Sequence, residues 1–276
     1  MSLQKHFMQA QIIPISDPDD PRIADYVSVR ERDLTGRHGK FIVEGKVTLE
    51  VFLSRSRFQP ESLLIETGRV PVLQGLLDAL PGNIPVYTAD QPVMDAIAGF
   101  PIHRGILACG MKPEPPDFET WLSEQADPAT LVVCIGLSNH DNAGAVFRNA
   151  AALGGDGIIL DTESCDPLYR KAIRVSAGTA LWMPFFHGLT AVEILEGLKR
   201  AGFDIWTLTP GEKAMSLYEA DRPEKLAIVL GPEGPGLSQH LIDMGIAIRI
   251  PMTHEVDSLN IATSLAVTLS QRLSGA

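Results

Sequence analysis

The stretch LVVCIGLSNHDNAGAVFRNAAALGGDGIIL, residues 131–160, decides the fold. LVVCIG is an unbroken apolar run of strand length, GIIL is another, and the segment between them has helical character. In that segment Asn142 is placed as an N-cap, AGAVFRNAAAL forms the helix, and Gly154 ends it. Strands without polar alternation, joined through a helix, belong to a parallel sheet covered on both faces. The rhythm continues downstream. Asp166-Pro167 opens a helix through LYRKAIRVSA, and TAVEILEGLKRAG is amphipathic and stops at glycine. IWTLT, LAIVLG and AIRIP are further strands, and SLNIATSLAVTLSQRL reads as a closing helix. The class is α/β, in which ligands sit beyond the carboxyl ends of the strands.

Upstream, FIVEG, SLLIE, IPVYT and GILACG read as strands, separated by helical stretches over residues 46–54 and 72–80. They define a smaller N-terminal α/β domain, residues 1–110. MKPEPPDFETWLSEQADPA, residues 111–129, is rich in proline and acid and reads as a linker with a short helix at 117–125. The larger domain then spans residues 130–276.

With 45% apolar and 21% charged residues among 276, the composition is that of a soluble globular protein. No apolar run approaches membrane-helix length, so no membrane partner is expected, and MSLQKHFMQAQIIPISDPDD makes a poor secretory signal. Cys109, Cys134 and Cys165 are scattered, odd in number and without metal-ligand spacing. They suit a reducing cytoplasm and no metal. The net charge of −11 demands that any nucleic-acid partner meet a local basic face. VRERDLTGRHGKFIVEGK carries Arg30, Arg32, Arg37, His38, Lys40 and Lys46. On charge alone the reading of a solvated helix end and loop is favoured there.

Three loops at strand ends are chemically unusual: SNHDNAG, GPEGPGLS and PMTHEVDSLN. In GPEGPGLS, residues 231–238, Gly231, Gly236 and Ser238 match a phosphate-binding loop, but Leu237 replaces its lysine and Glu233 adds a carboxylate. A glycine turn carrying a carboxylate suits a neutral or cationic ligand approaching the backbone closely. Ser238 reads as the N-cap of SQHLIDM.

NxGAxxRNA (residues 142–150), VLGPEGPGLS (229–238) and IPMTHEVDSLNIATSLAV (250–267) resemble, in order and wording, the three motifs of the SpoU/TrmH branch of the SPOUT RNA methyltransferases. DPLYRKAIRVSAG, residues 166–178, is similar to that family too, and the first domain looks like the ribosomal-protein-like substrate-binding domain that many members carry. The resemblance implies S-adenosyl-L-methionine-dependent methylation of a ribose 2′-hydroxyl in tRNA or rRNA. It also implies a trefoil-knotted C-terminal domain and a homodimer formed through that domain, with active sites at the interface. By family position, Thr209, Gly211, Gly231, Ile250 and Leu259 line the cofactor pocket. Arg148 takes the catalytic position. The resemblance implies that it is the base taking the 2′-hydroxyl proton; because a guanidinium stays protonated, gripping the target nucleotide's phosphate and orienting the hydroxyl is the physically favoured role. Asn142 is expected to cap its helix and organise the site. Glu233 is expected to face Arg148, the cofactor or the RNA. Ser258 and Asn260 combine helix capping with a cofactor- or RNA-facing role. Arg37 and Lys40 are the expected RNA contacts. His140 and His254 are read as loop histidines, and Cys165 and His187 as structural. Two other readings stand beside this one: an RNA-binding or assembly protein that has lost catalysis, and a SPOUT enzyme acting on a base.

Overall fold

The computed structural model describes residues 11–27, 38–99, 104–253 and 257–274. Two compact units emerge: Met1–Glu114 with Leu168–Trp182, and Pro115–Pro167 with Met183–Ala276.

The first unit carries a five-stranded mixed sheet in the order Ile12–Pro14, Val86–Ala89, Gln59–Glu66, Ile106–Met111, Lys40–Glu44. The first three strands run parallel, and Ile106–Met111 is antiparallel to both neighbours. Leu63, Leu64 and Ile65 are consecutive and fully buried, so both faces of the central strand are covered. Helices Lys46–Arg55, Val70–Leu77 and Gln91–Ala98 accompany the sheet. The four strands read from the sequence are present. The edge strand Ile12–Pro14 was not legible, being three residues long and ending in proline.

The second unit is built on seven strands, all parallel, ordered Met215–Ser216, Ile246–Arg249, Asp204–Leu208, Lys225–Leu230, Ala129–Cys134, Gly157–Leu160, Phe185–His187. Leu131 to Cys134 and Leu226 to Val229 are fully buried at every position, as apolar runs without alternation require. One core layer joins Val133, Ala227 and Val229 to Ile194, Leu195 and Leu198 of helix Ala191–Arg200. That helix opens on a capping box between Thr190 and Glu193. Residues 111–129 do not behave as one linker. Asp117 caps helix Phe118–Ser123, whose Phe118 and Trp121 are buried in the same core.

Two helix starts differ from the sequence reading. Helix His140–Ala152 is capped by Asn139, whose Oδ1 accepts from the amides of Asp141 and Asn142. Asn142 is therefore inside the first turn, with its side chain free for other bonds. Asp166-Pro167 opens no helix; helix Arg170–Val175 begins later, with Tyr169 at the cap position and no side-chain cap bond. Among the described residues, no helix is long and apolar enough to cross a membrane.

Candidate active site

Strands Ile246–Arg249, Asp204–Leu208 and Lys225–Leu230 are neighbours in the sheet, and their carboxyl ends release three loops side by side. Between these loops and the start of helix Ile261–Leu273 lies a cavity of about 520 Å³. Thr209, Gly211, Gly231, Ile250 and Leu259 all line it, together with Glu233, Ser258 and Asn260. Pro210, Met252 and Ser264 also line it, and the sequence reading missed them.

The glycine loop explains its own departures from a phosphate loop. A side chain at Gly231 would place its Cβ 2.6 Å from the Leu237 backbone nitrogen, so only glycine lets the loop fold back on itself. Gly234 and Gly236 take positive φ of 90° and 68°. Leu237, standing where a phosphate loop has lysine, is 8% exposed and packed into the apolar core of this unit. It anchors the loop from below. Ser238 then caps helix Gln239–Ile242 through the Leu241 amide. Among the described residues lining the cavity, Glu233 is the one ionisable side chain. Among the described residues the pocket lining therefore carries one carboxylate and no cation, which disfavours a phosphate and favours a neutral or cationic ligand.

Three side chains from the three motifs meet at the edge of this pocket. Asn142 Nδ2 donates to Glu233 Oε1 at 2.5 Å. Asn260 Nδ2 donates to Asn142 Oδ1 at 2.9 Å and reaches the same Glu233 oxygen at 3.4 Å. Asn260 Oδ1 meanwhile accepts from the amides of Ala262 and Thr263, capping the last helix. Glu233 thus faces Asn142 and Asn260, and no hydrogen bond or ion pair joins it to Arg148 among the described residues. Beneath these loops, the buried Asp161 carboxylate accepts from the Gly136 amide at 2.9 Å and from Ser164 Oγ at 2.7 Å. Ser164 Oγ in turn accepts from the Leu137 amide. This brace sets the chain entering the Asn139 cap. Its signal was an acid placed directly after the apolar strand GIIL.

Arg148 lies on helix His140–Ala152, exposed, with no hydrogen bond or ion pair to the described residues. Six positions separate it from Asn142, about 120° round the helix and ~9 Å along it, so the two point to different sides. Ser258 is exposed at the pocket rim, with no hydrogen-bond partner among the described residues. His140 begins the same helix as Arg148, while His254 and Arg37 lie outside the described residues. His187 Nε2 bonds the Ser164 carbonyl. Burial pushes the Cys165 thiol up to about 11.

Lys40 does not present a free cation to RNA. Its ammonium donates to Asp25 and Glu61, each at 2.8 Å. Burial pulls its pKa down, and the two carboxylate hydrogen bonds outweigh that and leave it raised. Among the described residues, Asp25, Glu61 and Cys109 converge closely enough to hold a metal ion, but the Lys40 ammonium bonds both carboxylates.

The second unit is a parallel α/β fold with a pocket at its strand ends whose described lining carries the Glu233 carboxylate. Residues 129–270 match the model of the SpoU rRNA Methylase family. A protein of Mycobacterium tuberculosis described as an uncharacterized tRNA/rRNA methyltransferase is 37% identical over 268 residues, covering 94% of this chain and 90% of its own. The fold is similar to that of the AdoMet-bound rRNA methyltransferase of Sinorhizobium meliloti, with TM-score 0.81, 18% identity, and 96% and 99% of the two chains covered. It is also similar to an RNA 2′-O ribose methyltransferase, with TM-score 0.77, 25% identity, and 95% and 98% covered. The chain belongs to the SpoU rRNA methylase family.

Proposed function

We propose that this protein is an S-adenosyl-L-methionine-dependent RNA methyltransferase that methylates a ribose 2′-hydroxyl of a structured tRNA or rRNA. The observation that carries this reading is the Asn142–Glu233–Asn260 cluster at the edge of a pocket with no cation among its described lining residues. A cavity of about 520 Å³ has the size of a cofactor site. Its backbone-rich loops suit an adenine, and Glu233 suits a ligand with a positive centre. When bound, the cofactor supplies an electrophilic methyl on a sulfonium and leaves as a neutral thioether.

The chain's own residues have separate tasks in this reading. Thr209, Gly211, Gly231, Ile250 and Leu259 hold the cofactor, and Glu233 supplies the compensating charge. Asn142 and Asn260 fix Glu233 by donating to it. Arg148, exposed and unpaired among the described residues, grips the phosphate of the target nucleotide and aligns the 2′-oxygen for in-line attack. That phosphate lies near enough to the hydroxyl to receive its proton. Ser258 at the rim contacts the RNA. The trefoil knot belongs to the same proposal, as does a homodimer that brings Arg148 of one subunit to the pocket of the other. The ribose assignment is favoured over a base by the similarity to the 2′-O ribose enzyme.

The test is methyl transfer from isotope-labelled cofactor into total tRNA and rRNA, followed by mass spectrometry of the nucleosides. A labelled 2′-O-methylnucleoside at an alkali-resistant linkage is expected. Label on a base would replace the ribose assignment. Cofactor and RNA binding without transfer would establish the non-catalytic assembly reading.

A further inference from the structure

A second cavity, about 380 Å³, lies in the first unit and is lined by Lys46, Arg69, Arg104 and Arg174, with no carboxylate among its described lining residues. Four cations on a chain of net charge −11 come here from four separate segments. Their counter-charges are uneven. Arg174 is held by Glu44 at 3.2 Å. Lys46 and Arg69, both about half exposed, meet Glu50 and the 21% exposed Glu66 only at 3.8 and 3.9 Å, pairs that contribute little. Arg104 has no hydrogen bond or ion pair with the described residues. Its guanidinium lies against Gly45, where a Cβ would sit 3.1 Å from Nη1. Gly45 precedes helix Lys46–Arg55 without a side-chain cap, so the first amides of that helix add positive potential beside the same cations. The apolar wall is also open: Val47 is 61% exposed and Val72 is 64% exposed.

We infer that this cleft seats a stretch of the RNA substrate, its phosphates on Arg104, Lys46 and Arg69 and an unstacked base against Val47 and Val72. The inference rests on the RNA-methyltransferase reading above. It replaces Lys40, which its own carboxylates neutralise, as the source of RNA affinity on this unit. A site for a lone anion would need the cations but not the exposed valines. Single-stranded RNA uses both, because backbone charge and an apolar base platform are its two general handles.

The experiment measures binding of fluorescently labelled total tRNA, and of rRNA, to the full chain across a series of salt concentrations. The double variant Lys46→Gln/Arg104→Gln is expected to bind about tenfold more weakly, with a salt slope shallower by roughly 0.7–0.9 per lost contact. The single variant Arg104→Lys is expected to keep the slope, because the charge remains. Calorimetric binding of S-adenosyl-L-methionine is expected to match the wild type in all variants, which also certifies their folding. An unchanged slope in the double variant, with wild-type RNA binding intact, overturns this inference alone. A wild type that binds no tRNA or rRNA overturns it together with the reading it rests on. Displacement of tRNA by micromolar adenosine monophosphate overturns RNA as the occupant.

Discussion

The side-chain amide of Asn142 donates to the carboxylate of Glu233 at 2.5 Å, tying a helix start to a glycine loop 91 positions further along. Asn142 is 8% exposed while Glu233 is exposed, so the bond runs from a buried amide to a charged, solvent-facing acceptor. With its charged partner in solvent, such a bond contributes about 1 kcal/mol. Asn142→Asp would set a second carboxylate against Glu233 and remove the donor. We expect it to weaken S-adenosyl-L-methionine binding by at least about tenfold, and more than Asn142→Ala does. Calorimetric titration of both variants checks the order; equal affinity for Asn142→Asp and wild type would refute it.

Arg148 is exposed and its side chain stabilises no other group among the described residues. Arg148→Ala is therefore expected to leave the melting temperature and cofactor affinity unchanged while cutting methyl transfer by about 10²-fold or more. Arg148→Lys should not restore the rate, because an ammonium lacks the fork that holds a phosphate at two points. Single-turnover transfer to tRNA, beside thermal melting, separates the effects.

Gly231→Ala is the smallest change that should dismantle the pocket. Its Cβ would meet the backbone of Gly236 and Leu237 at 2.9 and 2.6 Å, and backbone cannot step aside as a side-chain end can. A destabilisation of about 1–3 kcal/mol is expected, with cofactor binding lost. Gly234→Ala, where nothing lies within 4 Å but φ is 90°, should cost less and retain binding. Denaturant melts with and without cofactor give both numbers.

Lys40→Gln is expected to lower stability by about 1 kcal/mol, a figure kept small because its carboxylate partners are about a third exposed. The sign with pH follows from the raised lysine value. The contribution is fully present below about pH 10.4, the unfolded lysine value. It is lost as pH rises through the folded value. Between pH 6 and 9 the deficit of the variant should therefore stay constant, and its RNA salt slope should equal that of the wild type. A changed slope would return Lys40 to the RNA face.

The sequence was most informative where a physical rule is local. Unalternated runs such as LVVCIG and LAIVLG can only be covered on both faces, and both are central parallel strands. The five residues assigned to the cofactor by family position all line one cavity. Partnerships across long separations were not legible. Nothing in GPEGPGLS says that Glu233 meets Asn142, because that depends on which strands are neighbours. The cap was misplaced by three residues because Asn139 and Asn142 are equally good capping residues, and only backbone geometry chooses. Lys40 looked like a free cation because Asp25 and Glu61 approach it from elsewhere in the chain.

Asn260 serves two masters with one planar group. Its oxygen is committed to the amides of Ala262 and Thr263, which leaves its nitrogen no choice but to point at Asn142 and Glu233. Rotating the amide by half a turn would forfeit the cap and the cluster together. The helix thus works as a rotational lock, so the carboxylate is already aimed before any ligand arrives and binding need not supply its ordering entropy.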